Sequence, residues 1–198
     1  MFDGVADMDA TLPHDVFCRA RLLGADVESV LVTSDGASEV TGCYGTRYAG
    51  LVGWTPEHAD VLVVAGGWIE RDADDPLPGR IAEAKRCGGD GLVLAGSDSG
   101  ALYLGAAGLL RGRPATTHRP GHAMLAASGA EVIDARIVDD GDLVTSSSGW
   151  LAGIDLALYL LERELGEPRL AVEIERWIGH DRRGTVWRAD PPADRRQT

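Results

Sequence analysis

The sequence predicts an α/β fold in which a mostly parallel central sheet is covered by helices on both faces. Short, nearly continuous runs of apolar and β-branched residues are typical of strands that are buried on both faces. These runs alternate with segments of helical periodicity, which is the order found in parallel sheets connected by helices. A chain of 198 residues is long enough to bury most of its apolar surface in one such domain.

The predicted elements alternate along most of the chain. Strands are predicted at residues 27–33, 59–64, 91–95 and 131–138, and helices at residues 13–23, 79–86, 100–110, 124–128 and 150–165. The longest of these helices places Ile154, Leu158 and Leu161 on one apolar face. Ligands of such sheets bind at the carboxyl ends of the strands, so we expect the functional residues there.

The two ends of the chain carry less regular signals. We expect one domain over residues 1–188 and a disordered tail over residues 189–198, because the last ten residues are rich in proline and polar side chains. Asp3-Gly4 is typical of a turn that follows a strand, yet only Met1 and Phe2 precede it. Either the first strand is nearly absent, or the true start of the protein lies upstream.

Composition excludes several classes of partner. A net charge of −12 argues against nucleic acid, because phosphate binding needs clusters of Lys and Arg. No apolar run reaches the roughly 18–20 residues of a membrane span, and the N-terminus lacks the layout of a secretory signal. The three cysteines, Cys18, Cys43 and Cys87, form no C-x-x-C motif, which argues against a disulfide framework or a zinc site. We expect a cytoplasmic protein that acts on a small molecule without a metal.

The stretch "LVLAGSDSGALYLGAAGLL", which starts at Leu92, has the pattern of a nucleophile elbow. A strand breaks into a tight turn and the chain restarts as a helix of small residues, so that one side chain is displayed at the end of the sheet. Here that residue is Asp98. A carboxylate at this position can act as a nucleophile or as a general acid or base. The alternative is a catalytically silent protein whose turn tolerates an acidic residue.

Four longer stretches carry a family resemblance. They are "MDATLPHDVF" from Met8, "DVLVVAGG" from Asp60, "SDSGALYLGAAGLLRGRPATTH" from Ser97 and "GAEVIDARIVDDGDLVTSSSGWLAGIDLAL" from Gly129. Together they make the chain resemble the ThiJ/PfpI superfamily (class I glutamine amidotransferase-like), and its isonitrile hydratase branch most closely. The resemblance implies a flavodoxin-like three-layer α/β/α sandwich and a homodimer.

The resemblance also implies the site residues. Isonitrile hydratases add water to an isonitrile with an elbow cysteine, the threonine after it and an aspartate of the first loop. These three positions fall on Asp98, Ser99 and Asp9, and a family carboxylate beneath the elbow falls on Asp15. His118 matches a family histidine near the elbow. Because Asp98 replaces the cysteine, the thiolate chemistry of the family, including glutaminase and glyoxalase activities, is not available here.

Three carboxylates in one pocket would have coupled protonation. Like charges a few ångströms apart cannot all ionise at low cost, so at least one carboxyl should keep its proton near neutral pH. Such a site holds an acid and a base together. The alternatives are that Asp15 is a first-turn helix residue after Pro13, that Asp9 is a solvated loop acid, and that His118 is a structural hydrogen-bonding partner.

Residues for substrate binding are predicted beside the elbow. Gly66 and Gly67, at the end of a strand, allow backbone N–H groups to approach a ligand closely. With Ser97 and the hydroxyl of Ser99 they would form a pocket for developing negative charge; the alternative is that the glycines only form a strand-end turn. Trp68 follows them and is expected to line the same pocket.

The leading interpretation is a cofactor-free enzyme that uses clustered carboxylates for acid–base chemistry on a small uncharged molecule. A hydratase or dehydratase fits best, because water addition needs one atom protonated and a water molecule activated. One alternative is an isomerase or cyclase of a specialised pathway. Another is a silent small-molecule-binding or regulatory domain, since many proteins that share this fold are fused to an AraC-type DNA-binding domain.

Overall fold

The centre of the molecule is a five-stranded sheet with the strand order β11-β9-β10-β6-β5. The computed structural model describes residues 1–67, 75–147, 149, 151–182 and 184–188. Its strands are β1 (Val32–Thr33), β2 (Glu39–Thr41), β3 (Arg47–Ala49), β4 (Val52–Gly53), β5 (Val61–Val64), β6 (Val93–Gly96), β7 (Pro114–Ala115), β8 (Glu131–Val132), β9 (Ile137–Asp139), β10 (Leu143–Ser146) and β11 (Val186–Arg188). Its α-helices are α1 (Asp7–Leu22), α2 (Leu77–Gly88), α3 (Gly100–Ala106), α4 (His122–Ala127), α5 (Leu151–Glu164) and α6 (Pro168–Ile178).

The five-stranded sheet is mostly parallel, as predicted. β5, β6 and β10 run parallel to one another, and β11 runs parallel to β9. Only the β9–β10 pair of this sheet is antiparallel. These two strands are joined by a tight turn at Gly141, whose φ of 77° is readily adopted by glycine. Parallel neighbours need longer crossovers, which the helices supply.

Helices cover both faces of this sheet. On one face, Leu62 and Leu94 of the strands pack with Ile81 of α2 and Leu104 of α3. On the other face, strand residues pack against α5, including Val93, Ala95, Val144, Leu156 and Leu160. Neighbouring residues of β6 therefore enter opposite cores, as the alternation of side chains along a strand requires. The predicted flavodoxin-like α/β/α sandwich is confirmed.

Helices α1, α5 and α6 pack against one another. Val16 of α1, Leu158 of α5 and Ile174 of α6 lie in one buried cluster. The sequence analysis did not predict α6, although Ala171 and Ile174 on its buried face have helical spacing. None of the helices in the described ranges is both long and apolar enough to cross a bilayer.

Two predicted strands differ from the observed ones. Of residues 27–33, only β1 is a strand, and it pairs with β4 rather than with the central sheet. The predicted strand 131–138 is split into β8, which pairs with β7, and β9, which joins the central sheet. A continuous apolar run cannot reveal either difference, because strand pairing depends on partners distant in sequence. The predicted tail, residues 189–198, lies outside the described residues.

Candidate functional site

Asp98 stands on a strained turn between β6 and α3. Its φ of 52° makes it the only non-glycine residue with a positive φ in the described part of the chain. The turn needs glycine on either side. A Cβ at Gly100 would overlap the carbonyl oxygen of Val64, and a Cβ at Gly96 would lie 2.8 Å from the backbone nitrogen of Ala101. The predicted elbow, with an aspartate displayed on it, is confirmed.

Two hydroxyl side chains hold the backbone of Asp98 in this conformation. The Thr117 hydroxyl donates to the Asp98 carbonyl oxygen at 2.8 Å. The Asp98 N–H donates to Ser146 Oγ at 3.3 Å. A left-handed backbone costs a non-glycine residue about 1–2 kcal/mol, and hydrogen bonds of this kind each contribute about 1 kcal/mol. The surrounding strands therefore offset the strain of the elbow.

The Asp98 carboxylate is oriented by one contact to each oxygen. The Gly149 N–H donates to Oδ2 at 3.1 Å. Nδ1 of His118 lies 3.2 Å from Oδ1, and the same nitrogen lies 3.3 Å from the Thr117 hydroxyl. The Asp98 side chain is 17% exposed, so a small molecule can reach it. His118 is thus a direct neighbour of the elbow carboxylate, as expected from the resemblance.

Asp9 is the second carboxyl of the site. It lies in the first turn of α1 rather than in a loop, and it is only 2% exposed. Burial, followed by the negative charge of Asp98, raises the pKa of Asp9 to about 7, while a hydrogen bond from the Gly66 backbone acts in the opposite direction. Among the described residues, Asp9 Oδ1 has no hydrogen-bond partner. Asp9 and Asp98 therefore form a pair in which burial and the charge of Asp98 favour the protonated form of the Asp9 carboxyl near neutral pH.

Asp15 does not join this pair. Its carboxylate is ion-paired with Arg19 at 2.6 Å and is 49% exposed. Because α1 begins at Asp7, Asp9 and Asp15 are six positions apart on one helix and project in directions that differ by about 120°. Of the three carboxylates expected in one pocket, Asp15 therefore lies apart from Asp9 and Asp98. The sequence predicts a helix that begins at residue 13. It therefore does not reveal that Asp9 and Asp15 lie on the same helix.

Gly66 and Gly67 hold Asp9 and Ser99 instead of facing a ligand. The Gly66 backbone bonds the Asp9 carboxyl, and the Gly67 N–H donates to Ser99 Oγ at 3.0 Å. A Cβ at Gly66 would overlap both Asp9 Oδ2 and Ser99 Oγ, which explains why glycine is needed there. The predicted oxyanion pocket built from these two N–H groups is not formed, because both already have acceptors.

Ser97 is not positioned to bind a substrate. It is fully buried, and its hydroxyl oxygen has no hydrogen-bond partner within the ranges that the structure describes. A Cβ at Gly153 of α5 would lie 3.2 Å from that oxygen, so Ser97 packs the underside of the elbow against this helix. The predicted role of Trp68 concerns a residue outside the described part of the chain.

Three contact residues of Asp98 were missed by sequence reasoning. They are Thr117, Ser146 and Gly149. The signals were present, since Thr117 lies in "TTH" and the others lie in "VTSSSG". Hydroxyl-bearing residues and glycine at the carboxyl end of a strand are typical of a ligand-binding edge.

The fold and the site together define an α/β/α sandwich with a nucleophile elbow at the carboxyl end of its sheet. The chain belongs to the DJ-1/PfpI family, whose match covers residues 1–163. It is 32% identical over 173 residues to the isonitrile hydratase of Pseudomonas putida, a match that covers 84% of this chain and 70% of that protein.

Solved structures show the same fold. A ThiJ/PfpI family protein from Pseudomonas syringae superposes with a TM-score of 0.75 at 27% identity, covering 98% of this chain and 75% of that chain. An AraC family transcriptional regulator from Pseudomonas putida gives a TM-score of 0.75 at 23% identity, covering 89% of this chain and 95% of that chain. The second likeness concerns the fold alone. The family resemblance read from the sequence is confirmed.

Proposed function

We propose that this protein is a cofactor-free enzyme that adds water to, or removes water from, a small uncharged molecule at the Asp9–Asp98 pair. The single observation that carries this proposal is the burial of the Asp9 carboxyl, which is only 2% exposed and whose pKa is raised by that burial and by the charge of Asp98. Two carboxyl groups with different protonation provide a proton donor and a proton acceptor in one site.

The exposure of the two groups suggests their roles. Asp98 is the more accessible and is oriented by Gly149 and His118, which suits a base that takes a proton from an attacking water molecule. Asp9 is buried, and no group in the described part of the chain bonds its Oδ1, which suits an acid that delivers a proton to the substrate. After water addition the proton is on Asp98 and the charge is on Asp9. Return of the proton from Asp98 to Asp9 restores the site.

His118 is proposed as a positioning residue in this reaction. Its Nδ1 lies between Asp98 Oδ1 and the Thr117 hydroxyl, so it orients the carboxylate towards the water molecule. Ser99 is proposed to act indirectly, because its hydroxyl is bonded to Gly67.

The relationship to isonitrile hydratase supports water addition as the reaction class. At 32% identity the substrate is not carried over with the fold. An aspartate on the elbow cannot form the sulfur-linked intermediates of a cysteine, and the acid–base reaction proposed here needs no covalent bond to the protein. Isonitriles, which would be converted to N-substituted formamides, are nevertheless the first substrates to test.

The experiment is a screen in ¹⁸O-labelled water. Purified protein is incubated with small neutral isonitriles, nitriles and unsaturated carbonyl compounds, and products that contain one labelled oxygen are detected by mass spectrometry. For a substrate found in this way, Asp98→Asn should lower turnover by about 10²–10⁴-fold, the usual effect of losing a general acid or base. Asp15→Asn is the matched control and should keep the parent rate.

Three outcomes would contradict the proposal. Asp98→Asn could turn over the substrate as fast as the parent. A product could form that neither contains labelled oxygen nor has lost water, which would favour an isomerase or cyclase. A compound could bind, as seen by a thermal shift, and remain unchanged, which would favour a silent binding or regulatory domain.

The assembly implied by the resemblance is also a proposal. We propose that the chain forms a homodimer and that residues 1–188 fold as one domain. Sedimentation equilibrium measures the dimer directly. Limited proteolysis followed by mass spectrometry measures the stable domain.

A further inference from the structure

The hairpin of β2 and β3 lies outside the central sheet and is bonded to the segment that enters α1. The N–H of Cys43, in the loop of this hairpin, donates to the Val5 carbonyl oxygen at 2.8 Å. Val5 forms a bridge with Gly67, beyond the carboxyl end of β5. Because Gly67 also bonds Ser99, the hairpin is attached to the same edge of the sheet as the elbow.

Asp7, the first residue of α1, makes a second attachment to the hairpin. Its carboxylate accepts a hydrogen bond from the Tyr48 hydroxyl of β3 at 2.8 Å and another from the side chain of Thr46. A Cβ at Gly42 would lie 2.7 Å from both carboxylate oxygens, so the backbone of the hairpin packs directly against them. The Asp7 carboxylate is therefore held by three residues of the hairpin.

The protonation states of Asp7 and Tyr48 favour a lasting hydrogen bond between them. Burial raises the pKa of Asp7, but the hydrogen bonds from Thr46 and Tyr48 outweigh it and lower the pKa below the ordinary value of 3.8. Burial and the bond to Asp7 raise the pKa of the Tyr48 hydroxyl to about 12. Near neutral pH the donor therefore keeps its proton and the acceptor keeps its charge, and hydrogen bonds to charged groups are the stronger kind.

Asp7 and Asp9 lie two positions apart in the first turn of α1. Residues at this spacing on a helix project in directions that differ by about 160°, so one carboxyl faces the hairpin while the other faces the elbow. The first N–H groups of a helix have no partners within it, and the side chain of Ala6, just before the helix, cannot bond them. The first turn of α1 consequently depends on contacts outside the helix.

We propose that Tyr48 is a positioning residue for Asp9, because its bond to Asp7 fixes the turn of α1 that carries both carboxyl groups. The consequence for catalysis rests on the proposed function, in which Asp9 delivers a proton to the substrate. The charge that acts on Asp9 comes from Asp98, so the influence of Tyr48 is geometric and consists in keeping the Asp9 carboxyl buried. Loss of the bond lets this turn open and lets water reach Asp9.

The experiment follows Asp9 by NMR and needs no substrate. The carboxyl ¹³C resonance of Asp9, assigned by its loss in Asp9→Asn, is titrated in the parent, in Tyr48→Phe and in Tyr44→Phe. Tyr48→Phe should move the midpoint from about 7 towards the ordinary value of 3.8, because water then solvates the carboxylate. Hydrogen exchange in residues 7–10 should also become faster. Tyr44→Phe, in the same hairpin but at a side chain that is 75% exposed, should change neither.

Two variants of Asp7 separate this hydrogen bond from stability in general. Asp7→Ala removes the acceptor and should reproduce the effect of Tyr48→Phe. Asp7→Asn keeps an oxygen that accepts the tyrosine hydroxyl, so its midpoint should stay close to that of the parent. A lower Tm with an unchanged Asp9 midpoint in Tyr48→Phe would show a structural role only and would overturn the proposal. An equal shift of the midpoint in Tyr44→Phe would overturn it as well.

Turnover tests the consequence for catalysis. For a substrate found in the labelled-water screen, Tyr48→Phe should lower turnover by about 10–100-fold with little change in KM, because a displaced acid impairs the chemical step rather than binding. The two proposals fail separately. A shifted midpoint without any hydration activity would support the positioning role and contradict the proposed function. Hydration activity with a midpoint that Tyr48→Phe does not move would contradict the positioning role alone.

Discussion

At the scale of the residue, Asp98 combines backbone strain with a functional group. Aspartate is among the few residues that enter the left-handed region at modest cost. The bonds from Thr117 and to Ser146 keep it there. The conformation that costs energy is therefore the one that exposes the carboxylate at the end of the sheet.

Asp98→Cys tests whether the site depends on a carboxylate. The variant should lose the native reaction, because a thiol does not replace the coupled protonation of the Asp9–Asp98 pair. It should gain weak hydration of isonitriles, since the family resemblance assigns Asp9 and Ser99 to the positions of the aspartate and the threonine that act with the cysteine. Formamide production, followed by NMR, measures the gain, and native turnover measures the loss. A cysteine variant with the native rate would contradict the need for a carboxylate.

Asp9→Asn tests the raised pKa through stability. The folded protein holds the Asp9 proton up to pH of about 7, whereas the unfolded chain releases it near the ordinary value of 3.8. The folded state thus binds more protons between these pH values, so the Asp9 contribution to stability decreases as pH rises through this window and is constant above it. Over the whole window, the resulting loss of folding stability is at most about 4 kcal/mol.

Asparagine carries no such proton. Asp9→Asn should therefore be more stable relative to the parent at pH 8 than at pH 5, by a few kcal/mol. Urea denaturation at the two pH values measures this difference. If the parent and the variant differ equally at both, the pKa of Asp9 is not raised by the fold.

At the scale of the element, the elbow depends on how closely β5, β6 and α1 approach. The carboxyl of Asp9, the hydroxyl of Ser99 and the backbone of Gly66 meet in a space that leaves no room for a Cβ. Three elements are thus brought together by one glycine. This close approach also buries Asp9, and burial is the main cause of its raised pKa.

Gly66→Ala should disturb this junction. The added Cβ overlaps Asp9 and Ser99, and such overpacking costs about 1–3 kcal/mol. Gly79→Ala is the matched control, because a Cβ there meets nothing within 4 Å and alanine is the better helix former. Thermal denaturation should show a lower Tm for the first variant and an equal or higher Tm for the second. If Gly66→Ala has the same Tm as the parent, the side chains of Asp9 and Ser99 can move to make room for the Cβ at no cost in stability.

At the scale of the whole molecule, a buried network ties the last part of the chain to the sandwich. Asp155 of α5 is 1% exposed. It accepts a hydrogen bond from Arg136 Nε at 2.6 Å and lies 2.6 Å from Nε2 of His180. These residues belong to α5, the segment before β9 and the segment after α6, so one carboxylate links three regions.

Asp155→Ala should therefore destabilise the whole protein. Removing one partner of a buried ion pair leaves charge without compensation and costs about 3–5 kcal/mol. Asp134→Ala is the control. Asp134 is exposed and forms an ion pair with Arg119 at 3.8 Å, and an ion pair at the surface contributes little to stability. Urea denaturation measures both. If Asp155→Ala lowers the free energy of unfolding no more than Asp134→Ala does, the network has no structural role.

The features that the sequence determined by itself are local. The alternation of apolar runs with helical segments predicted the sandwich, and glycines on both sides of Asp98 predicted the elbow. These signals depend on backbone conformation and on the period of side chains, which neighbouring residues set. Even here the limits are clear, since Asp7 rather than residue 13 begins α1.

Only the tertiary structure decided which groups act together. The partners of Asp98 lie 19, 48 and 51 positions away at Thr117, Ser146 and Gly149. The pKa of Asp9 depends on burial by elements that are distant in sequence, and the same helix turns Asp15 towards solvent. Strand pairing and desolvation are properties of the assembled layers, because each requires a partner or a neighbour that the local chain does not contain.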